Sequence, residues 1–168
     1  YRALICIYIH THDHIQVLTS AHPDAGSQSF KASARKHHTM AAVMGTHVFV
    51  FGGFSTTHSD ELWQYDISTG TFTLLASERR GLWGPILAST SSAAPVARQK
   101  HAMTSAGTRF YLFGGQTAAG MANDLWQYDT TDSTWAFLNA NLSSSSPRAR
   151  WGHAMASVGT RLFVFGGQ

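Results

Sequence analysis

The residues of this chain best suited to chemistry come in sets of three. Arg35 with His38, Arg98 with His101, and Arg150 with His153 each place a guanidinium three residues before an imidazole, a pair able to bind an anion or move a proton near neutral pH. The recurrence argues against catalysis, because an active site needs one unique set of groups and the same pair stands here at one position of three related segments. The expected role is structural, a tie between adjacent repeats through Asp60, Asp124 or backbone carbonyls. His10, His12 and His14 alternate, and on one extended strand they would share a face, a spacing that places imidazoles on a metal. Their position in the repeat is a turn, which breaks that geometry, so solvated turn histidines are expected and no metal is assigned. Gly52-Gly53, Gly114-Gly115 and Gly166-Gly167 follow apolar runs with no helix pattern after them, so no helix N-terminus is present to cradle a phosphate. They are expected to be turn glycines, allowing positive φ or close backbone approach where a strand ends. No Ser/His/Asp order and no paired-carboxylate motif stands apart from the repeat, and neither catalytic residues nor a cofactor are assigned.

What positions these groups is an internal repeat, which decides architecture before local propensity does. Arg35 to Gly53, Arg98 to Gly115 and Arg150 to Gly167 each run from Arg to His to Gly-Thr, then through apolar residues into Gly-Gly. Behind the first two, Leu62 to Leu75 and Leu125 to Leu138 match without a gap, both opening Leu-Trp-Gln-Tyr-Asp. Ile5, Tyr8, Ile15 and Leu18 fall at the positions of Leu62, Tyr65, Phe72 and Leu75, so residues 4–18 read as a degenerate second half. The layout is a half unit with linker over 1–33, a unit over 34–77, a connecting loop over 78–97, a unit with its following loop over 98–149, and half a unit over 150–168.

Within a unit the spacing predicts four antiparallel strands. His47 to Phe51 and Phe110 to Phe113 are aromatic and β-branched runs ended by Gly-Gly. The small apolar segment before each, Thr39 to Met44 and its equivalents, suits a crowded inner strand, joined to the next by Gly45-Thr46, Gly107-Thr108 or Gly159-Thr160. Leu62 to Asp66 and Thr71 to Leu75 supply the third and fourth strands across a Ser-Thr-Gly turn. One such sheet cannot hide both faces, so sheets must stack around an axis with Trp63, Tyr65, Phe72, Trp126, Tyr128 and Trp135 buried between them. Each of those rings contributes about 1.5–3 kcal/mol on full burial. The fold class is therefore all-β, a β-propeller.

On these residues the sequence resembles the Kelch repeat family. The resemblance is carried by the three Gly-Gly pairs, by Tyr65 with Phe72 and by Tyr128 with Trp135, Phe72 standing where the family has Trp. The Leu-Trp-x-Tyr-Asp form of the third strand is similar to that of attractin-like and muskelin-like propellers. The resemblance implies six or seven blades of about 50 residues each. About three blades' worth of sequence cannot close such a ring, so a partial propeller is expected, completed by the rest of a parent protein or by self-association. Residue 1 is Tyr, which places the expected start of the gene product upstream.

Composition narrows the function. The chain is 43% hydrophobic and 12% charged, with a net charge of only +3 and scattered basic residues, too little for a stripe that tracks a nucleic-acid backbone. The longest apolar run near the start, Ala3 to Ile9, is far short of the roughly 20 residues of a membrane helix. A single Cys6 excludes an internal disulfide. Individuality is left to the loops. Arg79, Arg80 and Trp83 in the longest connection, with Phe54, His58 and Gln116 in two shorter ones, are the candidate partner contacts. Asn141 begins a glycosylation sequon that matters only in a secreted protein. The expected function is a non-enzymatic protein-interaction or scaffolding module. The rival is part of a carbohydrate-active propeller enzyme, of oxidase or epimerase type, with catalytic residues on other blades.

Overall fold

A computed structural model describes residues 32–76, 94–138 and 146–168. The readings of residues 4–18, of Cys6, of His10, His12 and His14, of Arg79, Arg80 and Trp83, and of Asn141 lie outside the described residues. Those described form thirteen strands and no helix. The first sheet contains β1 (Thr39–Val43), β2 (His47–Phe51), β3 (Leu62–Asp66) and β4 (Thr71–Ala76). After β5 (Arg98–Gln99) come β6 (Ala102–Ala106), β7 (Arg109–Phe113), β8 (Gln116–Thr117), β9 (Gly120–Met121), β10 (Leu125–Asp129) and β11 (Thr134–Phe137). The chain ends in β12 (Ala154–Val158) and β13 (Arg161–Phe165).

Two four-stranded antiparallel sheets result, in the orders β1-β2-β3-β4 and β6-β7-β10-β11, followed by the β12-β13 hairpin. The first strand of each unit packs beside the first strand of the next, β1 against β6 and β6 against β12, which fans the sheets as blades of a partial propeller. Small side chains on these strands allow that approach: the Ser157 hydroxyl donates to the Ser105 carbonyl across the second joint and accepts a bond from Thr104. The third strand runs back along the second in both complete blades, with Tyr65 opposite Val48 and Tyr128 opposite Phe110. The β3–β4 turn is locked by Asp66, whose Oδ1 accepts from the Ser68 amide at 2.7 Å and the Thr69 amide at 3.2 Å, the local bonding expected of Asp in a turn.

The inner hairpins differ in one respect from the expectation. In the second and third units Gly-Thr alone joins the strands, with Ala106 opposite Arg109 and Val158 opposite Arg161. In the first, Val43 is opposite His47, so Met44 belongs to a three-residue turn rather than to the inner strand. Met44 sits at φ 53° and Gly45 at φ 69°, the two successive left-handed residues of a type I′ turn, which the Thr46 amide closes by donating to the Val43 carbonyl at 3.4 Å. The inserted residue explains why the first unit is one residue longer between its Arg and its Gly-Gly.

The core lies between the blades. Phe49, Phe51 and Leu62 on one face of the first blade meet Phe110, Leu112, Trp126, Tyr128 and Trp135 on the facing side of the second, all buried. Phe49 and Phe110 have centroids 5.1 Å apart, and Phe51 meets Trp135 edge-on at 5.5 Å, the tilted geometries that ring quadrupoles favour. In the third unit Phe163 and Phe165 hold the places of Phe49 and Phe51, yet they are 51% and 84% exposed against 3% and 1%. The same strand pattern is a core in the first unit, where the second blade packs on it, and an open apolar face in the third among the described residues.

Candidate functional site

The repeated arginines are consumed inside their own blades. Arg98, with 0% exposure, forms a bidentate pair with Asp124 at 2.6 and 2.7 Å. It also donates to the Gly114 carbonyl at 2.9 Å and the Val96 carbonyl at 3.0 Å. Trp126 Nε1 donates to the same carboxylate at 2.7 Å, so one acidic group joins the strand before β6 to the start of β10. Burial pushes the Asp124 carboxyl up, but the Arg98 hydrogen bonds and charge outweigh it and hold the group below its ordinary value. Arg35 repeats the scheme with Glu61, Gly52 and Ser59, and Trp63 Nε1 donates to Glu61 at 3.0 Å. The acid in the first blade is therefore Glu61, one residue beyond the expected Asp60. Glu61 and Asp124 both immediately precede Leu-Trp, a register the sequence contains but that becomes informative only when each Arg is seen to close on it.

The expected tie between blades exists, but the main chain of the arginine makes it rather than the guanidinium. Arg98 accepts from the Gly53 amide at 2.9 Å and donates to the Ser59 carbonyl at 3.0 Å, and Arg150 does the same with Gly115 at 2.9 Å and Ala122 at 3.1 Å. A third bond follows two residues on, where the Lys100 amide donates to His37 at 2.9 Å and the Gly152 amide to Lys100 at 2.8 Å.

The Gly-Gly pairs make this approach sterically feasible. A Cβ on Gly52 would lie 2.7 Å from the Arg98 carbonyl oxygen and 2.9 Å from His101 Cε1, and one on Gly114 would lie 2.7 Å from the Arg150 oxygen. His101 thus wedges beneath the preceding blade, 5.5 Å from the Phe51 ring and edge-on to it, and His153 does so against Phe113 at 5.3 Å. Among the described residues the ring nitrogens of His101 and His153 make no hydrogen bond of good geometry, the backbone of Phe51 and of Phe113 being the polar group that each imidazole approaches. Burial, then the Arg98 charge, then His38 and His153 hold the His101 imidazole neutral, well below its ordinary value of 6.5. His153 and His38 are lowered for the same leading reason.

A pH dependence follows. Because the folded pKa lies below the unfolded one, the unfolded chain binds more protons in between, and stability rises with pH there. The contribution is complete above about pH 6.5 and is lost as pH falls below it. A second loss comes lower, where Asp129, held down to about 2 chiefly by Thr131 and Arg109, and Asp124 and Asp66 protonate. Melting temperature should fall between pH 7.5 and 5, and His101→Gln should flatten that slope while leaving the acid limb in place.

The short connections that follow Gly-Gly gather at the same end of the blades. Phe54 bridges to both Lys36 and His58, and its ring meets His58 edge-on at 5.4 Å. The expected loop Gln116–Ala122 is instead a small hairpin, β8 and β9, added to β5 as a three-stranded sheet. The Gln116 Oε1 accepts from Gln99 Nε2 at 3.2 Å. Beside His58, Ser59 and Arg35 lies a polar hollow of about 50 Å³, room for water rather than for an organic cofactor.

The repeated buried Arg–carboxylate pair, the Gly-Gly contacts and the four-stranded blades recur with the period of one known family. The family model described as the KLHDC2/KLHL20/DRC7 Kelch-repeats domain matches residues 19–168. This chain belongs to the Kelch-repeat family. Kelch relatives include Tip elongation aberrant protein 1 of Schizosaccharomyces pombe, 32% identical over 74% of this chain and 10% of its own length. The leucine-zipper-like transcriptional regulator 1 homolog of Drosophila melanogaster is 29% identical over 75% of this chain and 12% of its length. A third, the N-(sulfonatooxy)prop-2-enimidothioate sulfolyase of Thlaspi arvense, is 28% identical over 75% of this chain and 34% of its length. The Kelch chain thus spans about a tenth to a third of these relatives, and one of them carries an enzyme's name.

Proposed function

We propose that this Kelch segment is a protein-interaction module that binds a polypeptide at the Gly-Gly end of its blades. The observation that carries this reading is the division of labour within the repeat. Four of the six recurring titratable groups, Arg35, Arg98, His101 and His153, are buried and engaged in the frame, Arg98 and His101 with at most 3% exposure. The side chains that differ between units, Phe54 and His58 in one blade and Gln116 in the next, stand around that frame at one end. Arg79, Arg80 and Trp83 extend the same proposal along the longest connection. A further blade, from the parent protein or from a second copy, completes the module by covering Phe163 and Phe165. No observation favours the carbohydrate-active alternative.

The test is a peptide array of varied composition probed with the full chain and with Phe54→Ser/His58→Ala and Gln116→Ala variants. Selective binding that weakens at least about tenfold in the variants supports the reading, with Gly107→Ala at the opposite end as control. Unselective binding, or selective binding that the variants leave unchanged, overturns it.

A further inference from the structure

Between the constant Arg and the constant His of each unit stand two side chains that are not constant: Lys36 and His37, Gln99 and Lys100, Trp151 and Gly152. The second of each pair occupies the same unusual conformation, with His37 at φ 59°, Lys100 at φ 55° and Gly152 at φ 69°. Only glycine adopts this region without cost, and the third unit uses it. The first two carry an imidazole and an ammonium there despite the cost, and a side chain retained against its backbone preference points to a function for that side chain.

Their placement gives that function a geometry. The left-handed residue of one unit reaches across the seam to the preceding position of the next. His37 Nδ1 lies 3.0 Å from Gln99 Oε1, and Lys100 Nζ stands 4.0 Å over the Trp151 ring. Gln99 in turn meets Gln116 through side chains, and Lys36 is paired with Phe54 through the backbone, so a row of linked residues crosses all three units at the Gly-Gly end. The row carries Lys36, Lys100 and the exposed His37 and no carboxylate. The nearby acids Glu61 and Asp124 are held by Arg35 and Arg98, and Asp60 lines the hollow beside Ser59. At the opposite end, Asp66 and Asp129 face His47 and Arg109 in pairs, and Arg161 and Asp132 add one charge of each sign, so both lysines among the described residues lie at the Gly-Gly end.

We infer that this row is the docking surface for an acidic polypeptide segment, its carboxylates received by Lys36 and Lys100 and its apolar groups by Trp151 and Phe54. The inference rests on the interaction reading and gives its partner a chemistry. Two ammonium groups on successive seams favour a peptide with acidic residues spaced along it, and the aromatic rings flanking them give it apolar contact.

The test is fluorescence polarisation of the full chain with a labelled peptide rich in Glu and Asp, its Gln/Asn analogue and a Lys-rich analogue, at low and at physiological salt. The acidic peptide should bind at least about tenfold more tightly than the Gln/Asn analogue, and more weakly as salt rises. Lys36→Glu/Lys100→Glu should remove that preference, whereas Arg161→Glu at the other end should not. His37→Gly and Lys100→Gly relieve the left-handed strain, so they should melt no lower than the parent chain, and Lys100→Gly should still bind the acidic peptide less well. Equal binding of the acidic and Gln/Asn peptides, or full affinity in the Lys variants, overturns the inference and leaves the interaction module standing. Failure of all three peptides also overturns it, and the peptide array then decides the broader reading separately.

Discussion

Asp124→Asn should destabilise the chain by about 3–5 kcal/mol, the range for removing one partner of a buried ion pair. The cost arises mainly at Arg98, whose guanidinium has 0% side-chain exposure and would keep its charge with no counter-ion. Arg98→Met should cost less, near about 3 kcal/mol, because the carboxylate then stranded is 22% exposed and recovers some hydration. The double variant should lose less than the sum of the two, since neither charge is left alone. Arg150→Met gives the internal comparison. Its guanidinium bonds the Gly166 and Arg148 carbonyls in an exposed setting, so its loss should cost only about 1 kcal/mol. Urea midpoints of the four variants, with unchanged m-values, measure all of this. Equal losses in Asp124→Asn and Arg150→Met would show that the pair contributes nothing beyond ordinary hydrogen bonds.

The second large effect is expected at Gly52. Alanine there meets two separable costs. Its φ of +67° is strained for any residue with a Cβ, about 1–3 kcal/mol, and that Cβ would also stand 2.7 Å from the Arg98 carbonyl oxygen. Relief requires the next blade to move away, which breaks the 2.9 Å bond from the Gly53 amide to Arg98 and lifts His101 off Phe51. Gly107→Ala has a similar φ of +62° with nothing within 4 Å, so it carries the strain without the collision. Gly52→Ala should therefore fall clearly below Gly107→Ala in melting temperature and broaden the transition, because the joint between blades is what fails. Identical losses would place the whole effect in the backbone and remove the steric role assigned to the pair.

Much of the blade was legible in the sequence because its determinants are local. Alternating aromatic and β-branched residues, Gly-Thr turns and a fixed return of Leu-Trp-Gln-Tyr-Asp specify strands that pair with their sequence neighbours. The small β5-β8-β9 sheet was not legible, since two-residue strands such as Gln116–Thr117 are too short to show a period. The choice of Glu61 over Asp60 was hidden for a different reason. Adjacent acids are equivalent in composition, and only the path of the chain from Gly53 into β3 decides which one faces Arg35.

The sequence by itself determined the repeat, the family-level fold and the positions at which each unit must be alike. Only the tertiary structure decided what those positions do. The guanidinium of Arg98 closes its own blade while its peptide group joins the blade before it, because the two halves of the residue point to different neighbours. The stacking of blades likewise brings His37 to Gln99 and Lys100 to Trp151, across sequence separations that no local pattern encodes.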